Sequence, residues 1–570
     1  MSHYSIHYGA LIRGYETSGY AALRNLALLS VLAILPIFIK RFLRYQGNWT
    51  IYTSCVILFS IGLTVQYRLF SDREYVADID AAERARIQSS SESDKDKARD
   101  LLHAKTAAIG KEREAKIKTL QMHFIQENYS PEKKQMMGLP ATPASAVDLS
   151  KETIRPARDS LFSTIRAGST LIPLFAIFLM IVAFVAMRRE DTLKWLQNNG
   201  FLVALSTLIP LFAIAVTSRA GKAFGNMTPW EPAKIPFLLG FAAILAVLYK
   251  NLARTYWGVP RAKDALPLVF MAILPFIPLF YLKEANVGQM MIFGFAYSTL
   301  YLVAVRRLPQ RIVLVGSVVF VMTVLLVGAL PDDAQAKIPV LPTLAKPVKR
   351  LLPKRVPQRF HLWLDGFSPP DPETDWWKAD YDEYYAELVK KDPKLPQEIE
   401  EDPELKKRIN VDAWFDILAF QPAQATFGLS SGGTTGRGLG LGYPELIPVA
   451  DSDYIFAALA EELGLFGGLL VTFALIVFVS AGVRTARDSR DMFSKLCCLG
   501  VAALIGFQAV ANIGGITRAM PMTGIPLPFV SHGGFSLITC FMLLGMLMAF
   551  SHRNSIDHRK DELQVSPQET

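Results

Sequence analysis

Apolar residues gather in long blocks along this chain, separated by short basic connections and two long polar stretches. The blocks fall near 24–41, 51–69, 169–187, 200–218, 234–250, 266–282, 289–305, 311–330, 460–483, 493–517 and 533–551. Each approaches the ~20 residues that, at 1.5 Å rise, cross a hydrocarbon core of roughly 30 Å. The pattern predicts an all-α polytopic membrane protein with about 11 transmembrane helices. The chain then divides into N-terminal transmembrane segments 1–69, a helical insertion 70–165 and a first transmembrane part 166–330. A large loop 331–453, a second transmembrane part 454–551 and a tail 552–570 follow.

Orientation follows from Lys and Arg in the short connections. Lys40, Arg41 and Arg44 follow the first block, Arg188, Arg189 and Lys194 the third, and Lys250, Arg254, Arg261 and Lys263 the fifth. Arg306, Arg307 and Arg311 follow the seventh, Arg484, Arg487 and Arg490 the ninth, and Arg553, Arg559 and Lys560 the last. Every second connection is basic, which marks those connections as cytoplasmic. Both long polar stretches are then expected outside.

The first polar stretch is dense in Ala, Glu, Lys and Arg from Ala81 to Gln126, with a polar break at Ser89–Ser93. Its sparse apolar positions suit a narrow-striped hairpin or coiled coil, a docking or spacer element without catalytic groups. In the second stretch a Lys/Arg/Pro-rich tract over 333–358 precedes Arg359, Trp363 and an acidic aromatic tract reaching Asp402. Pro369, Pro370, Pro372, Pro393 and Pro396 argue against one long helix there. Basic residues beside a bilayer also attract anionic headgroups, by about 1 kcal/mol each.

Composition refines this picture. Hydrophobic residues make up 51% of the 570, and the mean hydropathy is +0.26. A net charge of +9 would suggest nucleic acid for a soluble chain; here the cytoplasmic loops explain much of it, and no nucleic-acid partner is expected. The four cysteines, at 55, 497, 498 and 540, lie in apolar blocks and read as buried hydrophobes, with neither disulfide nor zinc spacing. The N-terminal 25 residues lack the pattern of a cleaved signal peptide.

Candidate chemistry concentrates in three places. Gly432, Gly433, Gly436, Gly438 and Gly440 form a non-helical run that ends at Asp451-Ser452-Asp453, just before an apolar helix. Glycine permits close backbone approach and positive φ. Asp453 reads either as an N-cap or as a reactive carboxylate where an outer loop enters the membrane. Glu461 and Glu462, eight and nine residues on, would lie about 12 Å further along a continuous helix, and read either as functional carboxylates or as partners of a base such as Lys234 or Arg359. Glu231 and Lys234, at the mouth of the fifth block, read either as a functional pair or as an i,i+3 anchor. Finally, prolines and glycines break the segment Asn512–Ser536, which suits a re-entrant, cavity-lining loop. His532 within it reads as a structural hydrogen-bonding residue.

These segments resemble the SEDS family (shape, elongation, division and sporulation), whose members include RodA, FtsW and SpoVE. Asn512-Ile513-Gly514, then Pro521 through Ser536, follow the family's N-I-G and P-x-T-G-x-P-L-P-F-I-S-Y-G-G-S-S, with Thr523, Gly524, Pro528, Ser531, Gly533 and Gly534 in register. Gly432–Gly440 resembles G-G-x-x-G-x-G-L-G, Asp451–Phe456 resembles H-T-D-F-I-F, and Glu461–Gly464 matches E-E-L-G. Phe420–Gln424 resembles Y-Q-x-x-Q, keeping Gln421 and Gln424, and Thr228–Lys234 resembles Q-P-S-E-x-x-K, keeping Glu231 and Lys234. Glu284–Gly288 is a looser match to Q-P-D-x-G. The likeness covers about 200–551. Asp-Ser-Asp replaces His-Thr-Asp, Asn286 an aspartate, His532 a tyrosine and Phe535 a serine. Members usually have ten spans, so the extra N-terminal one and the 70–165 and 365–415 insertions set this chain apart.

The resemblance implies a peptidoglycan glycosyltransferase that joins lipid II units into glycan strands on the outer face of the bacterial plasma (inner) membrane. It makes Asp453 the general base for the acceptor 4-hydroxyl. A carboxylate in a dehydrated headgroup zone near other acids is expected to hold its proton more tightly, which suits that work. Lys234, Arg359 and Arg518 are the cations for the leaving pyrophosphate, with room for a divalent cation (Mg or Mn) although no ligand cluster is evident. The glycine run (Gly433, Gly436, Gly438) and the last loop would wrap sugars and pyrophosphate with backbone N–H groups. Gln421, Gln424, Glu461, Glu462 and Asn512 complete the expected substrate-binding set. A class B penicillin-binding protein and other envelope-assembly proteins are the expected partners.

Overall fold

The structure, a computed structural model, describes residues 2–12, 17–88, 164–165, 167–209, 230–252, 261–275, 287–305, 308–309, 311–313, 315–316, 355–364, 368–374 and 376–565. Every regular element among them is helical. In chain order these are α1 (Ser2–Ile12), α2 (Gly19–Arg41), α3 (Thr50–Gln88), α4 (Gly168–Arg188), α5 (Glu190–Asn198), α6 (Gly200–Leu205) and α7 (Trp230–Leu252). Then come α8 (Ala262–Ile273), α9 (Val287–Ala304), α10 (Arg355–Leu364), α11 (Lys378–Lys391), α12 (Leu395–Glu401) and α13 (Pro403–Trp414). A π-turn over Phe415–Ala419 leads into α14 (Phe420–Gly432), followed by α15 (Ile455–Asp488), α16 (Met492–Ile516) and α17 (Gly534–Val565).

Seven of these helices are long and apolar enough to cross a membrane: α2, the Thr50–Leu69 part of α3, α4, α7, α15, α16, and α17 from Gly534 to Asp561. They coincide with the first, second, third, fifth, ninth, tenth and eleventh apolar blocks, and the chain is a multi-pass membrane protein. The seventh block is the shorter helix α9. The described part of the fourth holds α6 and of the sixth α8, with the remainder outside the described residues. Most of the eighth block, residues 89–163 of the insertion, the 333–354 basic tract and Glu284–Asn286 also lie outside them. The second span runs on without interruption as helix to Gln88.

Within the bundle α17 packs along α4, and α15 against α3, α14 and α16. Membrane helices gain nothing from apolar contact that lipid does not also offer, so close approach through small residues sets their packing. At the α4–α17 crossing a Cβ on Gly545 would lie 2.2 Å from the Met180 carbonyl. One end of the bundle gathers the basic connections. There Gln46 N–H donates to His552 Nδ1, Asn48 N–H to Ser551 Oγ, Arg188 to the Leu43 carbonyl and Asn554 to the Thr485 carbonyl. These contacts join the connections after the first, third and ninth blocks to the chain's last helix, as the charge alternation predicts.

Beyond the opposite end, residues 355–419 build a small subdomain of their own. Trp377, Tyr381, Ile409, Ala413 and Trp414 form its core. Trp377 Nε1 donates to Asn410 Oδ1 at 2.9 Å, and Asn410 Nδ2 donates to the Pro370 carbonyl at 2.8 Å. The prolines divide it into short helices as expected: Pro396 and Pro403 each sit in the first turn of one, where the missing N–H costs nothing.

Candidate active site

The glycine run is built into a membrane helix. Helix α15 is not continuous: Gly464 sits at φ 66°, ψ −166°, outside the helical region. The broken ladder is completed by the glycine run instead. Arg437 N–H donates to the Glu461 carbonyl (3.0 Å) and Gly438 N–H to the Glu462 carbonyl (2.9 Å). In return Leu465 N–H donates to the Gly433 carbonyl (3.0 Å) and Phe466 N–H to the Thr434 carbonyl (3.3 Å). The two i→i+4 bonds that an unbroken helix would make here are thus exchanged for four bonds with the loop, so the carbonyls of Glu461 and Glu462 and the amides of Leu465 and Phe466 all keep partners at membrane depth. Backbone contact this close excludes side chains. A Cβ on Gly464 would lie 2.2 Å from Gly436 N, and one on Gly436 2.2 Å from the Glu462 carbonyl.

Two expectations are corrected by this arrangement. The amides of Gly436, Arg437 and Gly438 bond to the protein's own carbonyls, so they do not form a cradle for sugar or pyrophosphate. The glutamates also find other partners than Lys234 or Arg359. Glu462 Oε1 accepts from Arg68 Nε at 3.0 Å, both side chains being almost fully buried, and Arg68 also donates to the Gly442 carbonyl at 3.3 Å. Glu461 Oε1 accepts from the Tyr443 amide at 2.9 Å. The adjacent acids therefore lock the exit of the glycine run to α3 and α15. We expect Gly464→Ala to lower stability by at least about 3 kcal/mol, because it adds both left-handed strain and a backbone collision. Thermal unfolding of the purified variant checks this, and an unchanged midpoint would refute it.

Asp453 lies in the turn that follows. The N-cap of α15 is Tyr454, which makes no side-chain capping bond, so the plain-cap reading of Asp453 does not hold. Its carboxylate is half-buried and faces the last loop. Asp453 Oδ2 and Arg359 Nη2 both come within 3.5 Å of the point where a Cβ on Gly524 would stand. Acid, guanidinium and bare glycine backbone thus share one spot, and Gly524 (φ 65°) leaves it open. Tyr454 sits beside them. Burial pushes its phenol well above the ordinary value, Arg359 pulls it down and Asp453 pushes it up.

Residues of the last loop hold this turn in place. Ser531 Oγ donates to the Ser452 carbonyl (2.6 Å) and accepts from Leu527 N–H (2.8 Å), and His532 N–H donates to the Asp451 carbonyl (2.7 Å). Asn512 Nδ2 donates to the carbonyls of Asp453 (2.8 Å) and Ile525 (2.7 Å). Pro528 is buried, and Phe529 is held at φ 63° by packing against Phe478 and Phe541. Such strain in a non-glycine residue persists only where its surroundings over-determine it. Gly534 starts α17, the Gly533 carbonyl accepting from Leu537 N–H just before it, and Pro521 is half-buried at the loop's entrance. Thr523 is buried, and among the described residues its Oγ1 and Asn512 Oδ1 have no hydrogen-bond partner.

The subdomain delivers Arg359. On α10, Gln358 Nε2 donates to Asp380 Oδ2 (3.0 Å) and His361 bonds the Ser368 carbonyl (3.0 Å), which turns one face toward the subdomain core. Residues 359 and 363, one turn apart, share the other face. Trp363 Nε1 donates to the Arg518 carbonyl (2.9 Å), and Arg518 Nη2 reaches back to the carbonyls of Leu362 (3.2 Å) and Trp363 (3.4 Å). Arg518 is thus a latch between α10 and the loop.

Glu231 and Lys234 form a buried pair behind the loop, each 1% exposed. Lys234 Nζ bonds Glu231 Oε1 (2.7 Å), Glu231 Oε2 (2.8 Å) and Gln508 Oε1 (3.0 Å), while Gln289 Nε2 donates to Glu231 Oε1 (3.2 Å). An ammonium has three donors, and these acceptors engage all of them. Lys234 is therefore not presented to a pyrophosphate, which corrects the sequence expectation. Gln421 is exposed and Gln424 half-buried on α14, and neither is among the groups gathered around Gly524. Among the described residues no three His, Cys, Asp or Glu side chains converge on a metal site. Sequence reasoning missed Arg68, Gln289 and Gln508. The signal for Arg68 was present, as a lone arginine within the second apolar block.

Residues 409–556 match the model of a family described as cell cycle protein, FtsW/RodA/SpoVE. The chain is 38% identical over 151 residues to peptidoglycan glycosyltransferase RodA of Mycobacterium tuberculosis, covering 25% of this chain and 32% of the relative. It is 37% identical over 151 residues to stage V sporulation protein E of Bacillus subtilis, covering 25% and 41%. It is 39% identical over 136 residues to the probable peptidoglycan glycosyltransferase FtsW of Bacillus subtilis, covering 23% and 33%. The chain thus spans well under half the length of these curated relatives. Among solved structures it is similar to a chain of a peptidoglycan synthase complex that coordinates polymerization and crosslinking (TM-score 0.44, 19% identity, 69% of this chain and 93% of that one). It is also similar to the rod shape determining protein RodA of Thermus thermophilus (TM-score 0.32, 17% identity, 68% and 96%). The matched segment holds the glycine run, the broken helix α15, Asp453 and the last loop, and over this segment the chain is similar to the FtsW/RodA/SpoVE family.

Proposed function

We propose that the protein is a peptidoglycan glycosyltransferase that polymerises lipid II into glycan strands. The observation that carries this reading is the meeting of Asp453 and Arg359 over the bare backbone of Gly524. Asp453 takes the proton from the acceptor 4-hydroxyl as that oxygen attacks the anomeric carbon of the donor. The bond to the undecaprenyl pyrophosphate breaks with its electron pair, and the Arg359 guanidinium stabilises the charge that develops on the phosphate oxygens. A half-buried site strengthens that attraction relative to water. The proposal puts the protein in the bacterial plasma (inner) membrane with Asp453 outside and the basic end of the bundle in the cytoplasm. A class B penicillin-binding protein is the partner that would cross-link the strands, with other envelope-assembly proteins on the insertions.

The test is the product. Purified full-length protein, given radiolabelled lipid II in bilayer discs, is expected to release glycan strands. Movement of intact lipid II across liposomes without strand formation would make the chain a flippase. Neither activity would leave a scaffold.

A further inference from the structure

Gln508 lies within α16 with 2% of its surface exposed, and both ends of its amide are engaged. Its Oε1 accepts from Lys234 at 3.0 Å, while its Nε2 donates to the Pro526 carbonyl at 2.9 Å and to Ser536 Oγ at 3.4 Å. The neighbours fix the amide's orientation, because an ammonium requires an acceptor and a carbonyl requires a donor. One turn further along α16, Asn512 holds the Ile525 and Asp453 carbonyls. Side chains at i and i+4 share a helix face. A single stripe of α16 therefore grips two successive carbonyls of the last loop, immediately after Gly524.

We propose that Gln508 is a positioning residue, tying the buried Glu231–Lys234 pair to the loop floor beneath Asp453 and Arg359. The pair acts through this amide rather than on substrate: it is the fixed post against which the loop is registered. Without the link, Pro526 is released from α16 while Asn512 still holds Ile525, and the floor of the site shifts relative to the base. This rests on the reading of Asp453 as the base of a polymerase.

The test uses the full chain in bilayer discs with lipid II, and two variants. Gln508→Leu has similar volume but neither accepts nor donates. It is expected to lower kcat about tenfold or more with KM changed less than about twofold, since small misplacement affects the reacting geometry more than binding. Amide hydrogen exchange, which needs no turnover, is expected to quicken across 523–531 and stay unchanged across 432–440. Gln508→Glu separates positioning from mere packing. Its carboxyl donates to the Pro526 carbonyl only when protonated, its other oxygen then accepting from Lys234 as the amide does. Its activity relative to the parent should rise as pH falls, whereas the relative activity of Gln508→Leu should stay flat. Parental kcat with parental exchange in Gln508→Leu, or a flat relative pH profile in Gln508→Glu, would overturn the proposal. If the parent chain makes no strands, the polymerase reading fails, and exchange across 523–531 still decides the link through Gln508.

Discussion

Asp453→Asn is expected to lower the polymerisation rate about 10²–10⁴-fold, the range over which a positioned general base contributes. The replacement is nearly isosteric and leaves the Asp453 backbone carbonyl, which accepts from Asn512, in place. Folding should therefore be unaffected, and thermal unfolding of the variant should match the parent. The amide cannot take the hydroxyl proton, so the loss should fall on kcat. Asp451→Asn is the control. The Asp451 backbone carbonyl also serves the loop, accepting from His532, but its side chain is not the one converging on Gly524. Initial rates with lipid II decide the matter: a variant as fast as the parent would remove Asp453 as the base.

Lys234→Met is expected to lower stability by about 3–5 kcal/mol, because it leaves the Glu231 carboxylate buried without its counter-ion. Both side chains are 1% exposed, so water cannot replace the lost partner. Gln289 still donates one hydrogen bond to Glu231, but a neutral amide does not balance a charge. The double variant Glu231→Gln with Lys234→Met removes both charges, and much of the loss should be recovered. Thermal unfolding of the three proteins under one condition reads both effects. A single variant as stable as the parent would show that the pair is not the buried post described above.

Much of this was legible in the sequence. Apolar length located seven spans that reappear as long helices, since the bilayer core imposes one length on every crossing. The alternation of basic connections foretold that the ends of α2, α4, α15 and α17 would gather at one end of the bundle. Prolines foretold the short helices of the 355–419 subdomain. The glycine run, Asp453 and the last loop each stood out, because glycine, proline and an acid at a membrane edge each have a local physical meaning.

Tertiary structure alone decided what those residues do to one another. Helical periodicity states which face of a helix is apolar, but not which neighbour meets it. Arg68 and Glu462 are 394 positions apart, and nothing local to either names the other. The Gly464 break reads as an ordinary helical glycine until the carbonyls of Gly433 and Thr434 supply the acceptors that replace its ladder. Lys234 looked like a ligand for phosphate, yet its three donors are engaged by Glu231 and Gln508. Local chemistry told which residues were unusual. Which of them face substrate and which face each other depended on long-range packing, where the desolvation of every buried donor and acceptor requires a partner from a distant part of the chain.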